Sequence, residues 1–523
     1  MPGLPTTLLA LAGTITVAHG STQYTVQYSS SRPEVAVPLP QNLCGLSIEP
    51  DRWPDWAGNG THRNEFTYTL LSNLKEKTGV APRIRVGGDT QDAIHYEPSL
   101  TGSSGFYDVF PPIPTPLPIT TDLFPEATFV GAGPDFWLSS CNLPAGTAFT
   151  WGVNFLTNAS EAVAQVREIE SAFADHRCKN VSLYNIELGN EMDLQDLGDH
   201  WGLWAYKTRQ IEFFNMINNE LKNNGRKYRI GDFAEYWTSE QLLATNIMQS
   251  PMGEFVNSIS EHHYQSGSKY NLTSLPVYAE NAEDLVNKAN IRSNLAPYAA
   301  SAHSAQRAGI PFVLGETNSF SGHGSPGVSN AAAQALWMID YSLQAASIGA
   351  TGIYYHQGVG YNYSAWEPIN HIGGNVYDYE PSAKRHVMPL YYGYLAVADT
   401  IGNSGDTYIN ELWTGNDNLT AYQIWEGKDL KRIMLLNEQP WTELSEGTRP
   451  VMSVNLPTLA ATHTKATYKR LEFESLSALS GLTWGGQSWE NYEGKATGKV
   501  NLERVGSDGT IPMNASSAVL IYL

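Results

Sequence analysis

The chain has 523 residues, 42% of them hydrophobic and 16% charged, a globular composition with ample material for one large core and a second domain. A formal net charge of −20 repels nucleic acid and anionic membranes and argues against a long polyanion as the main substrate. The 14 Trp and 28 Tyr suit sugar faces that stack on rings, although large cores use aromatics as well.

Residues 1–20 read as a secretory signal peptide: "LLALAGTITVA" is an apolar run too short to span a bilayer, and Ala18-His19-Gly20 is a small-x-small cleavage site. No later segment is long and apolar enough to cross a membrane. Seven Asn-x-Ser/Thr sequons, at Asn59, Asn158, Asn180, Asn271, Asn362, Asn418 and Asn514, fit a secreted, extracellular protein. The three cysteines, Cys44, Cys141 and Cys178, allow at most one internal disulfide and offer no zinc spacing. Residues 21–35 hold "TQYTVQYS", a strand that is expected to join a distant β domain.

From 36 to 395, β-like runs alternate with helical stretches, the pattern of a parallel-sheet α/β domain. The runs are "GLSIE" (45–49), "RIRVGG" (83–88), "FTWGVNF" (149–155), "LYNIELG" (183–189), "YRIGDF" (228–233), "VNSISEHHY" (256–264), "PFVLGET" (311–317) and "TGIYYHQ" (351–357). Between them, 160–175 predicts a helix with a Ser N-cap, 206–225 one that ends on Gly225, and 329–350 a third. Eight such units predict a (β/α)8 TIM barrel enlarged by insertions. The largest insertion, 100–147, contains the Pro-rich "FPPIPTPLPITTDLFP", which cannot be regular helix or central strand; it is expected to form part of a cleft wall. From 396 to 523, alternating runs separated by Gly, Asn and Pro turns predict an all-β sandwich.

Catalytic groups in such barrels stand at the carboxyl ends of the strands. "IELGNEMD" puts Asn190 and Glu191 after the fourth strand, and "VLGETN" puts Glu316 at the end of the seventh. Two carboxylates facing one mouth are what a retaining glycosidase needs, about 5–5.5 Å apart. The other strand ends are polar too: Glu49, Asp89, His262-His263-Tyr264 and "YYHQG". Each has an ordinary structural explanation, such as a capping Asp or a core His, but their joint occurrence at strand ends favours a site. Neither a cofactor nor a metal is expected: Glu191 and Glu316 could share a cation, yet spacing specifies no third ligand.

"GLSIEPDRW", "RIRVGGDTQD", "YNIELGNEMD", "SEHHY" and "GETNSFSGHG", in that order, resemble glycoside hydrolase family 79, which includes β-glucuronidases and heparanases. The resemblance covers nearly all of the chain beyond the signal peptide. It implies that Glu191 is the general acid/base with a raised pKa, that Glu316 is the nucleophile oriented by Tyr264 or a histidine, and that Asn190 bonds the sugar 2-OH. It also implies that Glu49 and Asp89 accept from ring hydroxyls. A glucuronate carboxylate would be gripped by backbone amides of Ser321, Gly322 and His323 and by a tyrosine, Tyr363 first and Tyr391 second. The acidic balance and the scarcity of Lys and Arg in these loops separate the chain from the heparanase branch. The resulting expectation is a secreted, exo-acting, retaining β-glucuronidase that releases terminal glucuronate, or its 4-O-methyl form, from glycans such as arabinogalactan side chains. The rival expectations are a retaining β-glycosidase acting on a neutral sugar and a catalytically inactive carbohydrate-binding barrel.

Overall fold

The computed structural model describes residues 15–18, 21–101, 105–111, 125–223, 225–266, 282–370, 384–463 and 465–523. Eight parallel strands close into a barrel: β1 (Cys44–Ile48), β2 (Ile84–Val86), β3 (Ala148–Val153), β4 (Ser182–Leu188), β5 (Tyr228–Phe233), β6 (Val256–Ser266), β7 (Phe312–Phe320) and β8 (Ile353–Gln357). These are the eight runs of the sequence reading, with ends that move by a few residues. Closure is made by β8 on β1, where Ile353 pairs with Cys44 and Gln357 with Ile48. Helices follow the strands outside: α1 (Glu65–Thr78), α2 (Pro134–Leu138), α3 (Ala159–Ala174), α4 (Leu203–Glu220), α5 (Ser239–Ala244), α6 (Tyr298–Ala308), α7 (Ala332–Ser347) and α8 (Leu390–Ile401).

Two helix ends differ from expectation, each for a local reason. α3 is capped by Asn158, whose side chain accepts from the Glu161 N–H, so the cap lies two residues before Ser160. α4 stops at Glu220, where Leu221 turns extended, and Gly225 stands beyond the helix. The third predicted helix, α7, is buried along almost its whole length, because the β domain covers the side that a barrel helix normally shows to water.

The β domain is a sandwich. Its larger sheet contains β9 (Thr407–Leu412), β10 (Leu419–Glu426), β11 (Asp429–Asn437), β13 (Thr467–Glu472) and β15 (Ser517–Tyr522); the smaller contains β12 (Val451–Asn455) and β14 (Thr510–Asn514). Between the sheets lie Trp425, Ile433, Leu435, Val454, Ile511, Met513, Val519 and Ile521. The alternate residues Tyr422, Ile424, Met434, Leu436 and Leu520 belong to the barrel's core cluster instead. Period-two patterning thus serves two cores from one sheet.

Ser21–Thr25 runs parallel to β12, pairing Thr22 with Met452 and Thr25 with Asn455. Ile15–Ala18, inside the segment read as a signal peptide, pairs antiparallel with it; the remainder of 1–20 lies outside the described residues. Val37–Pro38 also pairs with a sandwich strand, β9, and α8 continues past residue 395 to Ile401, because its apolar face packs on α7 without interruption. Most of the Pro-rich stretch, 112–124, and the sequon at Asn271 fall outside the described residues. The rest of the 100–147 insertion contributes Phe106–Val109 and Phe129–Ala132 to a three-stranded sheet completed by Ile94–Tyr96, which precedes it. Cys141 and Cys178 form a disulfide and Cys44 is a free thiol. Among the described residues no helix is long and apolar enough to cross a membrane.

Candidate active site

The chain places charge inside its own barrel. Arg85, Glu187 and Arg229 come from interior positions of β2, β4 and β5 and are essentially unexposed. Buried charges persist only when paired. Arg85 donates twice to Glu187 Oε1, through Nε at 3.0 Å and Nη2 at 2.6 Å, and Arg229 approaches Glu187 Oε2 at 3.3 Å. The Arg85 guanidinium also donates through Nη1 to Glu316 Oε2 at 2.7 Å and to Ser47 at 2.8 Å, and through Nη2 to Asn190 Oδ1 at 2.7 Å. One arginine therefore sets both predicted strand ends.

Glu316 lies in β7 with its carboxylate doubly held. Tyr264 donates to Oε1 at 2.7 Å, while Arg85 and His356 (Nδ1, 3.5 Å) face Oε2. Burial alone would raise its pKa, but the charges of His356, His262 and Arg85 and the Tyr264 hydrogen bond bring it down to about 2. Tyr264 keeps its own proton, since burial and the Glu316 charge push its pKa well up. Glu316 is thus a fixed anion. His263, the neighbour on the opposite face of β6, bonds and stacks on Tyr341, and burial lowers its pKa to about 4. It is a core histidine.

Glu191 follows β4 in a left-handed conformation with φ of 47°. Gly189 prepares this turn with φ of 83°; a Cβ there would stand 2.7 Å from Met192 Sδ and 2.8 Å from Phe155 Cβ, so only glycine fits. Asn190 is buried and pinned, donating to Asp89 Oδ1 at 3.0 Å while its N–H reaches Asp92 at 2.8 Å. His262 Nδ1 meets Glu191 Oε1 at 2.8 Å. One ligating atom from each of Glu191, His262 and Glu316 lies within 4.8 Å of the others. The nearest carboxylate oxygens are thus closer than the about 5–5.5 Å between the carboxyl groups of retaining enzymes, and well short of the about 6.5–9.5 Å of inverting ones. The trio also supplies the third ligand type that sequence spacing lacked for a cation. Its charge is already balanced by the chain, however: Arg85 stands on Glu316, and the Asp232 carboxylate 3.6 Å away together with the Glu191 hydrogen bond overcome the effect of burial to raise the His262 pKa to about 10.

A cavity of about 320 Å³ opens beside Glu191, lined by Asp89, Asp92, Asn190, Leu156, Leu194 and Gln195. Asp89 is exposed to it yet ringed by carboxylates, and the Glu126 charge, then burial, push its pKa well up. Glu49 is fully buried: Oε1 accepts from Thr90 N–H at 2.7 Å and Oε2 faces His356 Nε2 at 3.0 Å. Rather than standing bare at the mouth, it is committed to orienting His356. The loop after β7 carries Ser321, Gly322 and His323, with φ of 63° at Gly322 and 64° at His323. The His323 ring stacks on Tyr361 at 3.7 Å and meets Glu126 Oε1 at 3.0 Å. Tyr363 lies against this loop and beside Tyr264, ring centroids 6.1 Å apart. Tyr391 is elsewhere: it is buried in α8, and its hydroxyl donates to Leu70 O at 3.0 Å and accepts from Asn73. Its place in the apolar stripe of a barrel helix, facing α1, excludes it from the cluster.

The residues that sequence reasoning passed over are Arg85, Glu187, Arg229, Asp232, Glu126 and Tyr361, while His356 is the histidine of the polar "YYHQG" strand end. The first four carried a usable signal, namely charges inside strands that a parallel sheet buries on both faces. Glu126 carried none, because it arrives from the far end of the long insertion.

A closed (β/α)8 barrel with one glutamate just after β4 and another within β7, their nearest carboxylate oxygens within 4.8 Å, and an appended β sandwich define a glycoside hydrolase. Residues 421–520 match the glycosyl hydrolase family 79 C-terminal beta domain. The chain is 29% identical to a β-glucuronidase from Aspergillus niger over 95% of this chain and 93% of that one, and 27% identical to a β-glucuronidase from Neurospora crassa over 95% and 92%. Its fold is similar to that of a 4-O-α-L-rhamnosyl-β-D-glucuronidase from Fusarium oxysporum (TM-score 0.77, 22% identity, 95% of this chain and 100% of that one). It is also similar to a family 51 α-L-arabinofuranosidase from Bifidobacterium longum (TM-score 0.57, 14% identity, 95% and 99%). The chain is accordingly a glycoside hydrolase homologous to the β-glucuronidases, and it carries the C-terminal β domain of family 79.

Proposed function

We propose that the protein is a secreted, retaining, exo-acting β-glucuronidase, with Glu316 as nucleophile and Glu191 as general acid/base. The observation that carries the reading is the close approach of the Glu191 and Glu316 carboxylates, within 4.8 Å at one oxygen each. In the first step a Glu316 oxygen bonds to the anomeric carbon, the carbon–oxygen bond to the leaving group breaks, and Glu191 gives its proton to the departing oxygen. In the second, water attacks the same carbon, Glu191 takes the water proton, and the ester to Glu316 is released. Asn190, oriented by Arg85 and Asp89, is assigned to the 2-OH, and Asp89 to a ring hydroxyl.

The anion grip is assigned to the backbone amides of Ser321, Gly322 and His323 together with Tyr363. Left-handed backbone at Gly322 and His323 turns the chain so that successive amides can group around an anion, and Tyr363 packs against the same loop beside Tyr264. Exo action is supported by Glu126, which ties the return of the insertion to His323 and Tyr361. The apolar N-terminal run, the sequons and the Cys141–Cys178 disulfide support secretion. Terminal glucuronate, or its 4-O-methyl form, on glycans such as arabinogalactan is the proposed substrate.

The test is hydrolysis of 4-nitrophenyl β-glucuronide beside the β-glucoside and β-xyloside, with Glu316→Ala as control. Preference for the glucuronide, lost in the variant, is the expected result. Preference for a neutral sugar would discard the anion grip, and inactivity toward all three would discard the enzymatic reading.

A further inference from the structure

Five non-glycine residues have positive φ among the described residues, and two of them, Glu191 (47°) and Asp232 (56°), are bonded to each other: the Glu191 N–H donates to the Asp232 carbonyl at 3.0 Å. A left-handed conformation is disfavoured for a non-glycine residue, somewhat less for Asp, and such strain gathers where geometry serves function. At Asp232 the strain comes with a bulge. Gly231 pairs with Ser260 and Phe233 with Glu261, so Asp232 has no partner on β6. Its side chain, 1% exposed, lies 3.6 Å from His262 Nε2 and 3.8 Å from Arg229 Nη1. The other imidazole nitrogen of His262 reaches Glu191 Oε1 at 2.8 Å, and Tyr298 holds the His262 carbonyl at 3.0 Å. The charged groups facing this imidazole are Glu191 from the end of β4, Asp232 from β5, Glu316 from β7 and Arg85 from β2.

We propose that Asp232 and His262 are a positioning pair for Glu191: the strained bulge sets the Asp232 carboxylate behind the imidazole, the imidazole holds Glu191 Oε1, and Oε2 is left as the oxygen that exchanges the catalytic proton. The inference rests on the reading of Glu191 as acid/base. His262 keeps its own proton throughout. It donates to Glu191 when that residue becomes a carboxylate, after its proton has gone to the leaving oxygen and before one returns from water. A backbone bond ties Asp232 to Glu191 directly and a side-chain path ties it through His262, so the two sites move together. An aspartate that merely braced the barrel would not need a left-handed conformation at an unpaired position.

The test is Asp232→Asn, which preserves size and tolerates the left-handed backbone while removing the charge. Activity is compared on a 2,4-dinitrophenyl glycoside, whose leaving group needs no proton, and on a phenyl glycoside, which does. The expected result is a loss of at least about tenfold on the phenyl substrate, within the range general acid catalysis supplies, and less than about threefold on the dinitrophenyl one. In parallel, the His262 ring, assigned with His262→Gln, is titrated by NMR. It stays protonated through neutral pH in the native protein, where its pKa is about 10, and titrates at lower pH in Asp232→Asn. Equal losses on both leaving groups, or an unmoved imidazole titration, overturns the proposal. If the native enzyme prefers a neutral sugar, the glucuronidase reading fails while the same leaving-group comparison is made on that sugar. The titration needs no substrate.

Discussion

Replacing Arg85 by Met removes the cation that links Glu187, Glu316, Asn190 and Ser47. The guanidinium and the Glu316 carboxylate form a buried pair with an N–O distance of 2.7 Å. With an effective dielectric of about 20 and a charge separation of about 4 Å, their attraction is about 4 kcal/mol. At 1.36 kcal/mol per pKa unit, its loss lifts the Glu316 pKa by about three units, from about 2 to around 5. A carboxylate with a depressed pKa is ionised above that pKa, so the native nucleophile is ionised over the whole working range. The variant should show a new acidic limb near pH 5 in kcat/KM for an aryl glucuronide. Stability should fall as well: breaking a buried pair costs about 3–5 kcal/mol, and a chain of this length has an unfolding entropy near 1 kcal/mol/K, so the apparent Tm should drop by about 4 °C. Arg85→Lys retains charge without the fork and should shift the limb less. A Met variant with the native acidic limb would refute the claim that Arg85 sets the charge state of Glu316.

Gly88→Ala should lower kcat/KM at least about tenfold: an added Cβ would stand 2.1 Å from Glu49 Oε2 and 2.9 Å from the His356 ring, at a φ of 148°, and wild-type kinetics would show that Glu49 and His356 can be displaced freely. Tyr363→Phe should reduce the preference for glucuronide over glucoside by about tenfold or more, the worth of one hydrogen bond to a charged group; an unchanged ratio of kcat/KM values would remove Tyr363 from the anion grip. The disulfide closes 37 residues, so a Cys141→Ser/Cys178→Ser double variant should lose about 4 kcal/mol by the chain-entropy relation, seen as a lower apparent Tm. Thiol titration of the denatured, unreduced native chain should count one thiol, Cys44.

Several features of the molecule are local and therefore legible in the chain. Eight runs of β-branched and aromatic residues ending in polar groups announce barrel strands, because a parallel sheet buries both faces and releases its side chains to solvent only at the carboxyl ends. Glu191 and Glu316 stand out for that reason, and period-two patterning after residue 400 announces the sandwich. What pairs with what was decided by closure of the barrel. Arg85 and Glu187 are 102 residues apart and Arg85 and Glu316 are 231 apart; no window of sequence relates them, yet desolvation makes their pairing obligatory. The same holds for Glu126 against His323, and for Tyr363 over Tyr391, which are equally aromatic in sequence but pack beside Tyr264 and against the α1 helix respectively. Composition and periodicity determine which elements form and which ends are polar. Only the packed barrel decides which charges meet, because an interior of low dielectric leaves none of them free to stand alone.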